Sequence, residues 1–268
     1  MRDVLIVVAG VATGTLSGLF GVGGAVISTP AIRALGVPAL VAIGTTLPSI
    51  IPGAASGTAR YVREELIDRR VVAWTGPAGV VASVGGSLLS KVVPGEGHLL
   101  MLLTAALLGF SAWRMYATGR AANRQEAADA LEPDTGAVTV DPVAPPEPSR
   151  CVAVGAVAGL LSGLLGVGGG IVMVPGFTQW ARVPLKQAIA TSLACVALFA
   201  VPGTITHALL GDIDWRVALL LAVGVIPGAR LGATLTVRAD VRRLRVVVAL
   251  FLGATAVLYA GGELLALS

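Results

Sequence analysis

Two glycine clusters carry the chemistry open to this chain. Ser17-Gly18-Leu19-Phe20-Gly21-Val22-Gly23-Gly24 recurs as Ser162-Gly163-Leu164-Leu165-Gly166-Val167-Gly168-Gly169, extended by Gly170. Each copy lies in a long apolar run and precedes a proline, Pro30 or Pro175. A helix broken at such a cluster exposes unpaired N–H groups and a positive half-helix end, and both attract an anion. Hydroxyls follow at equivalent places, Thr45 and Thr46 in one copy and Thr191 and Ser192 in the other. A hydroxyl binds an oxyanion without the desolvation cost of a buried ion. The alternative is a bond back to the helix carbonyl four residues earlier. Ser17 and Ser162 read the same way. The candidate substrate-binding set is therefore Ser17, Gly21, Gly23, Gly24, Thr45, Thr46, Ser162, Gly166, Gly168, Gly169, Gly170, Thr191 and Ser192.

Ionisable residues add little to this set. Arg230, in Ile226-Pro227-Gly228-Ala229-Arg230, is the charge placed well inside an apolar segment and joins the candidates. Its alternative is to snorkel to the nearby segment end. His207 is a candidate proton carrier or an interface histidine, and its counterpart in the first copy is Tyr61. Every Asp and Glu falls at a loop, a linker or a segment end, so no buried carboxylate is expected as a proton relay. Cys151 and Cys195 form no CxxC and have no His, Asp or Glu cluster near them, so neither a metal nor a cofactor is expected. Gly14/Gly18 and Gly159/Gly163 also fit the GxxxG spacing of close helix contact. The GxGG pattern lacks the strand–turn–helix context of a nucleotide site. Trp74, Trp113, Trp180 and Trp215 fall near segment ends as interface anchors.

The elements that must position these residues are membrane helices. Hydrophobic residues make up 55% of the 268 and charged residues 13%, against roughly 25% charge in an average soluble domain. Mean hydropathy is +0.86. Apolar runs occupy about Val4–Leu35, Ala39–Ala59, Val71–Val93, Leu99–Ala117, Cys151–Ala181, Leu185–Leu210, Trp215–Val237 and Leu244–Leu265. Residues 119–150 form a flexible acidic, proline-rich linker that cannot bury a core. It separates a first repeat, 1–118, from a second, 151–268. The correspondence continues past the glycines: Val37-Pro38 matches Val183-Pro184, Gly57-Thr58 matches Gly203-Thr204, and Ile67-Asp68 matches Ile213-Asp214.

Loop charge orients the repeats. The first copy is basic after its second segment (Arg60, Arg63, Arg69, Arg70), the second copy after its third (Arg238, Arg242, Arg243, Arg245). The positive-inside tendency then puts equivalent loops on opposite sides. The expected fold is an all-α polytopic membrane protein of two inverted repeats. In each repeat the first segment folds back as a re-entrant or hairpin element with the glycine cluster in its middle, followed by three spans. The two bends meet near the midplane and line a cavity. The linker is cytoplasmic and both termini lie outside.

The doubled S-G-L-[FL]-G-V-G-G-[AG] motif with its following proline, the Thr-[ST] pair, and Gly211 to Trp215 as Gly-x-Ile-Asp-Trp resemble the sulfite exporter TauE/SafE family, over nearly all of the chain except the linker. The resemblance implies a plasma-membrane carrier that exports small sulfur-containing anions such as sulfite, sulfoacetate or other organosulfonates. Two departures stand out: Ala25 replaces the third glycine of the first cluster, and Glu64 to Arg69 lacks the tryptophan of the second copy. The expected partners are a small anionic substrate and the lipid bilayer, not nucleic acid. Proton or ion coupling stays open and the oligomeric state is unassigned. The leading expectation is a secondary transporter that rocks one repeat against the other. An anion channel of the same architecture is the alternative. A membrane-embedded enzyme or assembly factor is disfavoured by the lack of HExxH, of an intramembrane Asp pair and of a Cys/His set.

Overall fold

The computed structural model describes residues 2–90, 99, 102–103, 105–114, 116–117, 146–166 and 168–267. Its helices are α1 (Arg2–Phe20), α2 (Ala25–Ala34), α3 (Ala39–Val62), α4 (Arg69–Leu89), α5 (Pro148–Leu165), α6 (Gly170–Gln179), α7 (Leu185–Leu209), α8 (Trp215–Arg238) and α9 (Val241–Leu267). Residues 105–114 of the fourth apolar segment are also helical. Among the described residues, 7 helices are long and apolar enough to cross a membrane. The expected linker lies outside the described residues except for 146–150, where Pro148 opens α5 at a position that needs no N–H partner.

Helix boundaries follow local chemistry. Asp68 caps α4 by accepting from the N–H groups of Arg70 and Val71, at 2.9 and 3.2 Å. Its repeat counterpart Asp214 caps α8 by accepting from Val217 at 3.1 Å. Asp240 does the same for Arg242 and Arg243 at the head of α9, and those N–H groups hold its carboxyl below the usual carboxylate range.

The repeats interleave. Helix α1 packs on α8 of the other copy through successive contacts at Gly10, Gly14 and Gly18, which meet Leu221, Val225 and Ala229. The contacts advance together, so the two helices run parallel. Helices α5 and α4 make the equivalent parallel pair, with Gly155, Gly159 and Gly163 against Thr75, Gly79 and Ser83. A Cβ on Gly159 would stand 2.1 Å from the Gly79 carbonyl oxygen, so only glycine allows the backbones this close. Packing, the alternative reading of GxxxG, is the use the structure makes of these residues.

One expectation changes here. The glycine cluster does not sit in the middle of its segment: α1 has 19 residues and α2 has 10, while α5 has 18 and α6 has 10. The first arm of each is long because it lies along nearly the whole of a helix from the other copy.

Contacts between loops and helix ends also sort the loops. The Asp68 amide donates to Thr191 Oγ1 at the start of α7, Arg150 reaches the Trp180 carbonyl at 2.9 Å, and Lys186 reaches the Val237 carbonyl at 2.8 Å. Arg69, Arg70, Arg150, Arg182, Lys186 and Arg238 therefore share one end of the bundle. At the other end Arg216 pairs with Asp3 at 2.8 Å, and the Asp214 amide donates to Thr45 Oγ1 at the start of α3.

Candidate functional site

Both helix breaks exist where the glycines are. Gly21, Gly23 and Gly24 have φ of 68°, 87° and 77°; Gly166, Gly168 and Gly169 have 65°, 81° and 68°. This left-handed backbone is open to glycine and costly for residues with a Cβ, which is why the chain turns here. Val167 lies outside the described residues. Each first arm closes the same way, with Gly21 N–H donating to the Ser17 carbonyl at 2.8 Å and Gly166 N–H to the Ser162 carbonyl at 2.9 Å. Gly24 and Gly169 are the N-cap residues of α2 and α6 and give no side-chain cap; the Ala25 N–H turns back to the Gly23 carbonyl at 2.9 Å, and the Gly24 and Gly169 carbonyls accept the first helical bonds at the heart of the bundle.

The two breaks touch. A Cβ built on Gly168 would lie 3.4 Å from Gly23 Cα, between Val196 at 3.1 Å and Ile50 at 3.5 Å, two residues at equivalent places in the repeats. A Cβ on Gly170 would lie 2.2 Å from the Gly21 carbonyl oxygen and 2.6 Å from Val22 Cα. The expected cavity between the bends is therefore closed by backbone contact in this conformation, and the cluster glycines are buried.

The predicted Thr and Ser pairs each reach into the other copy, Ser192 and Thr46 at the breaks and Thr191 and Thr45 at the loops before α4 and α8. Ser192 Oγ donates to the Gly21 carbonyl at 2.7 Å. Thr46 Oγ1 reaches the Gly166 carbonyl at 3.4 Å while also bonding the Ile43 carbonyl of its own helix at 3.0 Å. Thr191 and Thr45 accept from Asp68 and Asp214 at 3.1 and 2.9 Å, fixing the helix-starting loops of the opposite copy. Ser17 is 2% exposed and lies with Thr13 against Gly24. Ser162 Oγ and Thr13 Oγ1 are buried with no hydrogen-bond partner among the described residues.

The remaining predicted residues stand apart. Arg230 is on the exposed face of α8, away from both breaks, since the buried face carries Val225, Gly228, Ala229 and Gly232. His207 is fully buried at the far end of α7, its Nε2 3.3 Å from the Gly163 carbonyl and its Nδ1 3.5 Å from Asp212 Oδ2. Its counterpart Tyr61 does the same to the counterpart glycine, donating to the Gly18 carbonyl. Asp212 corrects the expectation that no carboxylate is buried: it is 6% exposed because its loop is pressed onto Gly44 of α3. The sequence signal was the repeat alignment, which sets Asp212 against Leu66, an apolar position. Among the described residues no group of His, Cys, Asp and Glu is arranged to hold a metal.

A multi-pass bundle whose helices break in pairs at buried glycine loops defines a membrane protein of the transporter class. The family profile described as Sulfite exporter TauE/SafE matches residues 6–259, and the chain belongs to that family. It is 29% identical over 260 residues to the probable membrane transporter protein YunE of Bacillus subtilis, covering 88% of this chain and 89% of that one. It is 25% identical over 265 residues to the probable membrane transporter protein MJ0441 of Methanocaldococcus jannaschii, covering 93% and 92%. A shorter match, 32% over 187 residues, links 63% of the chain to 29% of the probable membrane transporter protein MamO of Magnetospirillum gryphiswaldense. No solved structure matches the chain.

Proposed function

We propose that the chain is a secondary carrier that exports small sulfur-containing anions, sulfite or organosulfonates, across the plasma membrane. The observation that carries this reading is the mutual clamp at the breaks: each glycine loop is held by a hydroxyl of the other copy, Ser192 on Gly21 and Thr46 on Gly166. Parting the loops uncovers the uncapped N-termini of α2 and α6, whose N–H groups and dipoles bind an oxyanion. Gly21, Gly23, Gly24, Gly166, Gly168, Gly169 and Gly170 supply the backbone of the site, with Ser17 and Ser162 beside it. Thr45, Thr46, Thr191 and Ser192 position the loops.

The two copies act as inverted repeats with re-entrant first segments, and access alternates around their meeting point. Because α1 lies on α8 and α5 on α4, the moving bodies are these cross-copy pairs rather than the two halves of the chain. The basic end of the bundle is cytoplasmic, which puts the linker inside and both termini outside. His207, with Asp212, carries the proton in a coupled cycle.

The test is flux of labelled sulfite in proteoliposomes. Saturable transport at carrier rates, abolished by Gly168→Leu in protein that still inserts, is the expected result. Unitary currents in electrical recording would replace the carrier by a channel, and unchanged flux in Gly168→Leu would remove the breaks from the mechanism.

A further inference from the structure

We infer that the basic end of the bundle holds a second anion site, a collecting mouth that takes a doubly charged oxyanion and delivers it to the first glycine break. The inference rests on the carrier reading above for its role in transport, though not for binding itself. The site is a cavity of about 710 Å³ whose polar lining comes from Arg69, Arg70, Arg182, Gln187 and Asp68. None of the three arginine side chains has a hydrogen-bond or ion-pair partner among the described residues, so their donors are available to a ligand. Asp68 is already committed, its carboxylate accepting from the backbone of Arg70 and Val71. The lining is thus net positive, and guanidinium groups suit an oxyanion through paired N–H donors.

Three further observations make this a built feature rather than a generic basic surface. Arg182 holds a left-handed backbone, φ 54°, where its repeat counterpart is Gly36 at 90°. A side chain there carries strain that glycine would avoid. The equivalent mouth at the other end is not basic in this way: Trp215, Arg216 and Val41 stand for Arg69, Arg70 and Gln187, and Arg216 is already paired with Asp3. Finally, the floor of the cavity leads to the break. Gln187 is one helical turn from Thr191 on α7, about 6 Å along the axis. Thr191 binds the Asp68 amide, and the next residue, Ser192, holds the Gly21 carbonyl.

The experiment measures equilibrium binding of inorganic sulfite and sulfate to the purified full chain by calorimetry, then sulfite flux in proteoliposomes. In R69Q/R182Q the dissociation constant is expected to rise about tenfold, roughly threefold per guanidinium, the scale of an exposed ion pair. The binding should weaken with salt in the wild type and much less in the variant. In flux, KM for anion presented to the arginine face rises by a similar factor while kcat stays within about twofold. Melting temperature serves as the folding control, since both side chains are exposed. Equal binding in variant and wild type, or no binding of either anion to the wild type, overturns the collecting site. Binding that depends on these arginines in a protein that moves no sulfite would instead overturn the carrier reading and leave the site standing.

Discussion

Gly170→Ala tests whether the two breaks close on one another. Gly170 opens α6 with an ordinary helical backbone, so alanine there suffers only from what its methyl group meets. That is the backbone of the other break: the Gly21 carbonyl oxygen at 2.2 Å and Val22 Cα at 2.6 Å. A carbon and a carbonyl oxygen rest at about 3.3 Å, so the loops must separate by about 1 Å. Neither neighbour is the end of a flexible side chain that can swing aside. Overpacking of this kind costs about 1–3 kcal/mol, which lowers the melting temperature by about 2–4 °C per kcal/mol in a chain of this size. The same energy shifts the balance between closed and parted loops about 5- to 150-fold, and sulfite turnover should fall within that range. Gly85→Ala is the control, since nothing lies within 4 Å of its Cβ position. It should be neutral or stabilising by up to about 1 kcal/mol. If Gly170→Ala melts and transports like the wild type, the loops do not meet as described.

Ser192→Ala removes the donor to the buried Gly21 carbonyl and should cost about 0.6 to 1.7 kcal/mol, the range for hydrogen bonds between membrane helices. Thr46→Val should cost less, because its 3.4 Å contact is long and shared with Ile43; thermal unfolding of the two variants checks the order. Asp68→Ala loses the cap of α4 and should destabilise by about 1 kcal/mol in the same assay. His207→Tyr installs the residue the first copy uses and keeps a donor for the Gly163 carbonyl, so folding should survive. An imposed proton gradient should then no longer drive sulfite flux; a retained response to the gradient would remove His207 from coupling.

What the sequence could tell was whatever repeats or is local. The glycine clusters mark the breaks because left-handed backbone is written in residue type at Gly21 and Gly166 themselves. The caps at Asp68 and Asp214 and the collection of arginines at loop positions are local in the same sense. The partner of each first arm was not legible, since an apolar run does not say that α1 follows α8, a helix most of the chain away. The destinations of Thr45, Thr46, Thr191 and Ser192 were hidden for the same reason: each hydroxyl bonds the other copy. Asp212 was misread because a short loop ordinarily faces solvent, and only its neighbour Gly44 on α3 reveals that this one does not.

The clasp of α1 against α8 also bears on how the protein is made. The ribosome delivers α1 long before its groove of matching glycines, at Gly224, Gly228 and Gly232. Until then α1 waits in lipid with its small-residue face unmatched. Truncation after the first copy should leave an unfinished half, whereas the two halves supplied as separate polypeptides have every surface needed to find each other.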